Sequence, residues 1–167
     1  MFNIGDRVVY PNQGIGVISD IEKREFKGEK QDYYKIKIFN NTMILSLPVS
    51  RAEVSKLRLI SDPEVIDRGL DDIGKVMSEK SEYNECTSKE RMAANSEKVK
   101  SGSFRDNLEV ICDLIKVKSN SKLNSGDKQV LKNAKDFVIK EISCSKGISI
   151  EDSTDLLKNA IKCKWLQ

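Results

Sequence analysis

Four cysteines, no histidine and two closely spaced glycines are the first places to look for chemistry in this 167-residue chain. Cys86, Cys112, Cys144 and Cys163 stand far apart, and no two form a CxxC pair. Zinc needs clustered Cys or His ligands, so this spacing offers no metal site. The absence of histidine also removes the Ser-His and Cys-His nucleophile arrangements. Gly14-Ile15-Gly16 begins like a nucleotide loop, but Ser19 stands at the third glycine position and strand sequence follows. That reading fails. No constellation of lysines or carboxylates suggests catalysis, so the chain is expected to be a non-enzyme that needs no cofactor.

Composition sets the setting. A hydrophobic content of 38% beside 33% charged residues describes an ordinary soluble protein. No apolar run approaches the roughly 18 residues of a membrane span. The chain opens directly in strand sequence without a secretory signal, so a cytoplasmic protein with reduced thiols is expected. Acidic and basic residues balance over residues 1–71, leaving the whole net charge of +3 in residues 72–167. A surplus this small does not by itself indicate nucleic acid; placement would have to do that.

The elements that must position any site change character near residue 60. Gly5-Asp6 reads as a turn, Val8-Val9-Tyr10 as strand and Pro11-Asn12-Gln13-Gly14 as a second turn. Gly14 and Gly16 bracket Ile15, where a backbone without Cβ can kink or approach another strand closely. A strand follows over Gly16–Lys23 with a stretch through Phe26, and Gly28 marks a turn. Gln31–Phe39 alternates, with Tyr34, Ile36 and Ile38 on one face. Asn40-Asn41 is expected to form a two-residue hairpin turn before Thr42–Leu47 returns and Pro48 ends the strand. Leu57–Leu59 would close a small SH3-like barrel.

Helical signals then take over. Asp62-Pro63 starts a helix whose stripe is Ile66, Leu70, Ile73 and Met77. Ser78–Cys86 reads as a polar loop, and Thr87-Ser88-Lys89-Glu90 as a capping box. Ser101-Gly102 stops that helix. Phe104, Leu108, Ile111, Cys112 and Ile115 form the next stripe; Val130, Leu131, Ala134, Phe137, Val138 and Ile142 form another. Gly147 ends the fourth helix and Ser149 caps the last. The expected fold is α+β in two domains: a Tudor-like β-barrel over residues 1–60, then a bundle of about five α-helices over 61–167.

The order of short blocks resembles the CarD/CdnL family of bacterial transcription regulators. In the first domain they are Val8-Val9-Tyr10-Pro11-x-x-Gly14, Gly28-Glu29-Lys30-Gln31-x-Tyr33-Tyr34, Pro48-Val49 and Ala52-Glu53. The helical half matches more loosely, at Asn95-x-Glu97-Lys98-x-Lys100-Ser101-Gly102, Leu123-x-x-Gly126-x-Lys128 and Leu131-x-x-Ala134-Lys135. The resemblance implies that the barrel docks on the β subunit of RNA polymerase, strand edge to strand edge. It also implies that the helical domain contacts promoter DNA at the upstream edge of the melted region and stabilises the open complex.

Carried over by position, the polymerase contacts fall at Arg24, Ile36, Met43, Leu45, Ser46 and Pro48. Ser46 stands where the family usually has a larger side chain. Two plainer roles compete: Arg24 as a hairpin charge paired with Glu22 or Asp20, and Ile36 as barrel core. On the DNA side the family's wedge tryptophan has no counterpart, since its position holds Ser88. Tyr83 is the nearest aromatic, Met92 replaces a usual tyrosine, and Glu90 would repel phosphate. Trp165 lies too near the end and reads as an anchor for the last helix. The basic residues that remain are Lys89, Arg91, Lys98, Lys100, Lys116, Lys118, Lys122 and Lys128, of which Lys128 matches a family phosphate contact. DNA contact through Ser88, Lys89, Arg91, Lys98, Lys116 and Lys128 should be backbone-dominated, weak and steeply salt-dependent. The alternative is a protein–protein adaptor, or a competing relative that binds polymerase without DNA.

Overall fold

Residues 1–78 and 86–165 are described by a computed structural model. The chain divides into two compact units, Met1–Ile60 and Ser61–Gln167. Together they form an α+β protein with an antiparallel sheet followed by five helices.

Alternation builds the first unit. Its strands β1 (Arg7–Tyr10), β2 (Gly14–Phe26), β3 (Glu29–Ile38), β4 (Ile44–Pro48) and β5 (Arg58–Leu59) form one antiparallel sheet in the order β4-β3-β2-β1-β5. Tyr34, Ile36 and Ile38 are buried with Val8, Ile18, Leu47, Ala52 and Leu57. Gly16 lies so close to β3 that a Cβ there would stand 2.5 Å from the Lys37 carbonyl oxygen. No residue with a side chain fits.

Two details depart from the expected hairpins. The link from β3 to β4 is not the two-residue turn at Asn40-Asn41 but runs over five residues, Phe39 to Met43. It is closed by the Ile38 amide donating to the Met43 carbonyl at 3.2 Å and the Met43 amide to Asn41 Oδ1 at 3.2 Å. Asn40 still takes the positive φ, at +60°, but side-chain capping by Asn41 makes a wider loop workable. The tight turn is at Lys27-Gly28, where φ values of +54° and +82° suit a two-residue connection. β2 is also one continuous strand, with an irregularity between Ile18 and Asp20 that shifts its facing relative to β3.

The second unit holds α1 (Pro63–Ser78), α2 (Ser88–Lys100), α3 (Phe104–Asn120), α4 (Ser125–Lys146) and α5 (Ile150–Trp165). Their ends follow the capping residues. Thr87 and Glu90 complete a capping box on α2, Ser103 caps α3, and Asn124 caps α4 through the Asp127 amide. Gly147 closes α4 with φ +67°, and Ser149 Oγ accepts from the Asp152 amide in the first turn of α5. Ile66, Leu70 and Ile73 from α1 join Phe104, Leu108, Ile111, Leu131, Val138 and Leu157 in one core. The loop expected over Ser78–Cys86 falls mostly outside the described residues, as do the side chains of Met77, Tyr83, Cys163 and Trp165. Cys112 is buried in this core, and burial pushes its thiol up to about 12. It is a packing residue, not a nucleophile.

Candidate functional site

β4 lies at one end of the sheet order, so its outer backbone edge has no strand beside it among the described residues. Its side chains alternate between two faces. Ser46 sits opposite Lys35, and Pro48 opposite Tyr33, on the outward face; Leu45 sits opposite Ile36, and Leu47 opposite Tyr34, on the core side. Of the residues assigned to polymerase contact, Arg24, Ser46 and Pro48 therefore share the outer face. Met43 is exposed in the loop just before β4, beside the exposed Ile44.

Ile36 does not belong with them. It is fully buried, on a strand paired on both sides, so neither its side chain nor its backbone is open to a partner. Leu45 packs against the same core and offers only its backbone edge. Alternation assigns both positions inward, and the competing role of Ile36 as core is the one the structure gives.

Arg24 has a built environment. Its Nε and Nη2 donate to Glu22 Oε2 at 3.1 and 2.9 Å, and its guanidinium lies 5.5 Å from the centroid of the Tyr33 ring. Lys35 Nζ reaches the same Glu22 oxygen at 3.1 Å. The hydrogen bond from Arg24, then that from Lys35, holds the Glu22 carboxyl below its ordinary value. These exposed pairs add little stability. What they do is order a row of charged and aromatic groups beside the open edge.

The helical residues sort differently. Ser88 and Lys89 are exposed at the start of α2. Glu90 is not a free charge: its Oε2 accepts from the Thr87 amide at 2.8 Å and from Thr87 Oγ1 at 2.9 Å. Arg91, assigned to DNA, is instead held internally. Its Nη2 donates to Asp127 Oδ2 at 2.5 Å, with Arg91 only 12% exposed and Asp127 fully buried. One residue away, a side chain on Gly126 would collide with the Met92 sulfur. The starts of α2 and α4 are thus locked together, and Arg91 cannot reach a phosphate without leaving a buried carboxylate. Lys98 is likewise engaged, with Nζ 3.2 Å from Glu109 Oε2. Lys116 is half-buried near Asp113, whose carboxyl burial raises while Lys98 and Lys116 pull it down. Lys128 is exposed.

Lys128 also opens onto a groove of about 830 Å³ between the end of α3, the α3–α4 link and α4. Five lysines line it: Lys118, Lys122, Lys128, Lys132 and Lys135. Asp136 is the one acidic residue there among the described residues, and Leu123, Leu131 and Ile139 supply apolar surface. The basic set read from the sequence omitted Lys132, and it omitted Lys135 although that residue closes the Leu131-x-x-Ala134-Lys135 block. Their signal was legible: 128, 132 and 135 are spaced four and three apart, a lysine stripe along one helix face.

Comparison with known proteins covers both units. Residues 2–61 match the family described as CarD-like/TRCF RID domain, and residues 72–158 match CarD, C-terminal domain. A Bacillus subtilis (strain 168) protein named "Putative transcription factor YdeB" is 35% identical over 149 residues, covering 89% of this chain and 95% of that protein.

Proposed function

The chain belongs to the CarD family, and we propose that it regulates transcription by docking on the RNA polymerase β subunit through the β4 edge. The observation that carries this reading is the outer edge of β4, unpaired among the described residues and accompanied by exposed Met43 and Ile44 and by the Arg24–Glu22–Lys35 row on the adjoining strands. An open edge supplies main-chain donors and acceptors for affinity, and the outward side chains supply selectivity. The helical unit then contacts promoter DNA through phosphates, chiefly from Lys89 and Lys128, without a tryptophan wedge at Ser88. The family is one of transcription factors, not of enzymes. Among the described residues no helix is long and apolar enough to cross a membrane.

The test is open-complex lifetime on a promoter with purified polymerase, with and without the protein, at two salt concentrations. A longer, salt-sensitive lifetime is expected, together with weaker polymerase capture by Arg24→Glu at unchanged fold. Lys128→Glu should lower the salt slope of DNA association by about one. Failure of the wild-type chain to capture polymerase overturns the docking. One observation favours a second reading: with Arg91 bound to Asp127 and Glu90 in the capping box, Lys89 is the cation left exposed in the first turn of α2. Polymerase binding with an unchanged lifetime would identify a relative that occupies the β subunit without engaging DNA.

A further inference from the structure

The lysine groove of α3 and α4 is an open depression on the helical unit rather than a flat basic face. Its volume of about 830 Å³ lies in the range of small-molecule sites. Lysine ammonium groups are compact point charges suited to phosphate oxygens, and their methylene stems leave apolar walls behind the charges. Here those stems stand with Ile139, Leu131 and Leu123, so the groove combines a cationic rim with an apolar floor. Among the described residues no aromatic side chain lines it, so a run of successive bases along a strand would find no stacking platform.

The cluster is also held together against its own repulsion. Burial pulls the Lys135 ammonium below its ordinary value, and Lys118 and Lys158 act in the same direction. Among the described lining residues Asp136 is the sole carboxylate to offset five lysines. A ligand that concentrates several negative charges within a few ångströms relieves this, and one that also carries a flat, weakly polar ring covers the floor.

We propose that this groove binds a nucleoside triphosphate, with the phosphates on Lys128, Lys132 and Lys135 and the nucleoside against Ile139 and the lysine stems. The site lies within the helical unit, shares Lys128 with the proposed DNA contact, and does not depend on polymerase docking. It would make the helical unit responsive to nucleotide concentration.

The test is titration of the full chain with ATP, with GTP and with inorganic tripolyphosphate at constant ionic strength, followed by backbone amide NMR. Saturable shifts centred on Lys132, Lys135 and Ile139 are expected with ATP or GTP, and tripolyphosphate should bind at least several-fold more weakly. The Lys132→Glu/Lys135→Glu variant should lose at least tenfold in affinity while still capturing polymerase. Shift mapping on the wild-type chain stands even if that variant fails to fold. Three results overturn the proposal: no saturable shift with either nucleotide, shifts centred elsewhere, or equal affinity for tripolyphosphate.

Discussion

In the sheet unit the buried side chains are apolar apart from the Tyr34 phenol, whose oxygen accepts from the Phe2 amide at 3.0 Å. In the helical unit Asn95, Asn107, Asp113, Asp127, Glu141 and Ser153 are all buried. Glu141 Oε1, for instance, accepts from both the Ser61 amide at 2.9 Å and Ser61 Oγ at 2.8 Å. The contrast bears on function. An apolar core fixes the sheet by pattern alone and leaves its charges outside, available to a partner. The helical unit spends part of its charge on its own geometry, so a basic residue in its sequence is not by that fact a basic residue on its surface.

Breaking the buried pair should have the largest effect. Asp127→Ala leaves the Arg91 guanidinium in a nearly closed site without its carboxylate, at a cost of about 4 kcal/mol. Urea unfolding measures it, and a loss below about 1 kcal/mol would mean the pair is not structural. Ile36→Ala probes the other unit. Removing a fully buried side chain from an apolar core should cost about 3 kcal/mol, with polymerase binding falling only as the folded fraction falls. Selective loss of binding at full stability would return Ile36 to the interface. Thr87→Ala removes half of the α2 capping box and should cost about 1 kcal/mol. An unchanged melting curve would show that the cap adds nothing to the hold of the Arg91–Asp127 and Lys98–Glu109 pairs on α2.

The smallest change has the opposite sign. The folded-state value of Asp113 lies above its ordinary one because of burial. Its contribution to stability is therefore present at low pH and is lost as pH rises through that raised value. Asp113→Asn should flatten this part of the profile and stabilise the protein at neutral pH by less than about 1 kcal/mol. Denaturation midpoints taken from about pH 4 to pH 7 would reveal it, and a variant that is less stable at pH 7 would mean that the carboxylate is needed.

Much of the fold was legible because its signals are local. The caps at Thr87, Ser149 and Gly147, and the alternation from Tyr34 to Ile38, each act within a few residues. The site was less so, for two reasons. Arg91 and Asp127 are 36 residues apart, and nothing near either residue names the other. The Ile18/Asp20 irregularity reverses which β2 residues face outward, so Arg24 joins Tyr33 and Glu22 on one surface only after that shift. Ile36 was legible from alternation as core, and carrying over a contact by position obscured it.

The free edge of β4 also bears on how the protein behaves when no partner is bound. An uncovered strand edge is a template for self-association, and a chain that carries one must resist pairing with its own copies. This edge is only five residues long and ends at Pro48, which has no N–H to contribute to a ladder. Lys37, opposite Ile44 on the neighbouring strand, sets a like charge against a second copy approaching in register. Lengthening the edge by replacing Pro48, or neutralising Lys37, would trade solubility for a longer pairing edge: the surface proposed for docking is short enough to limit pairing between copies.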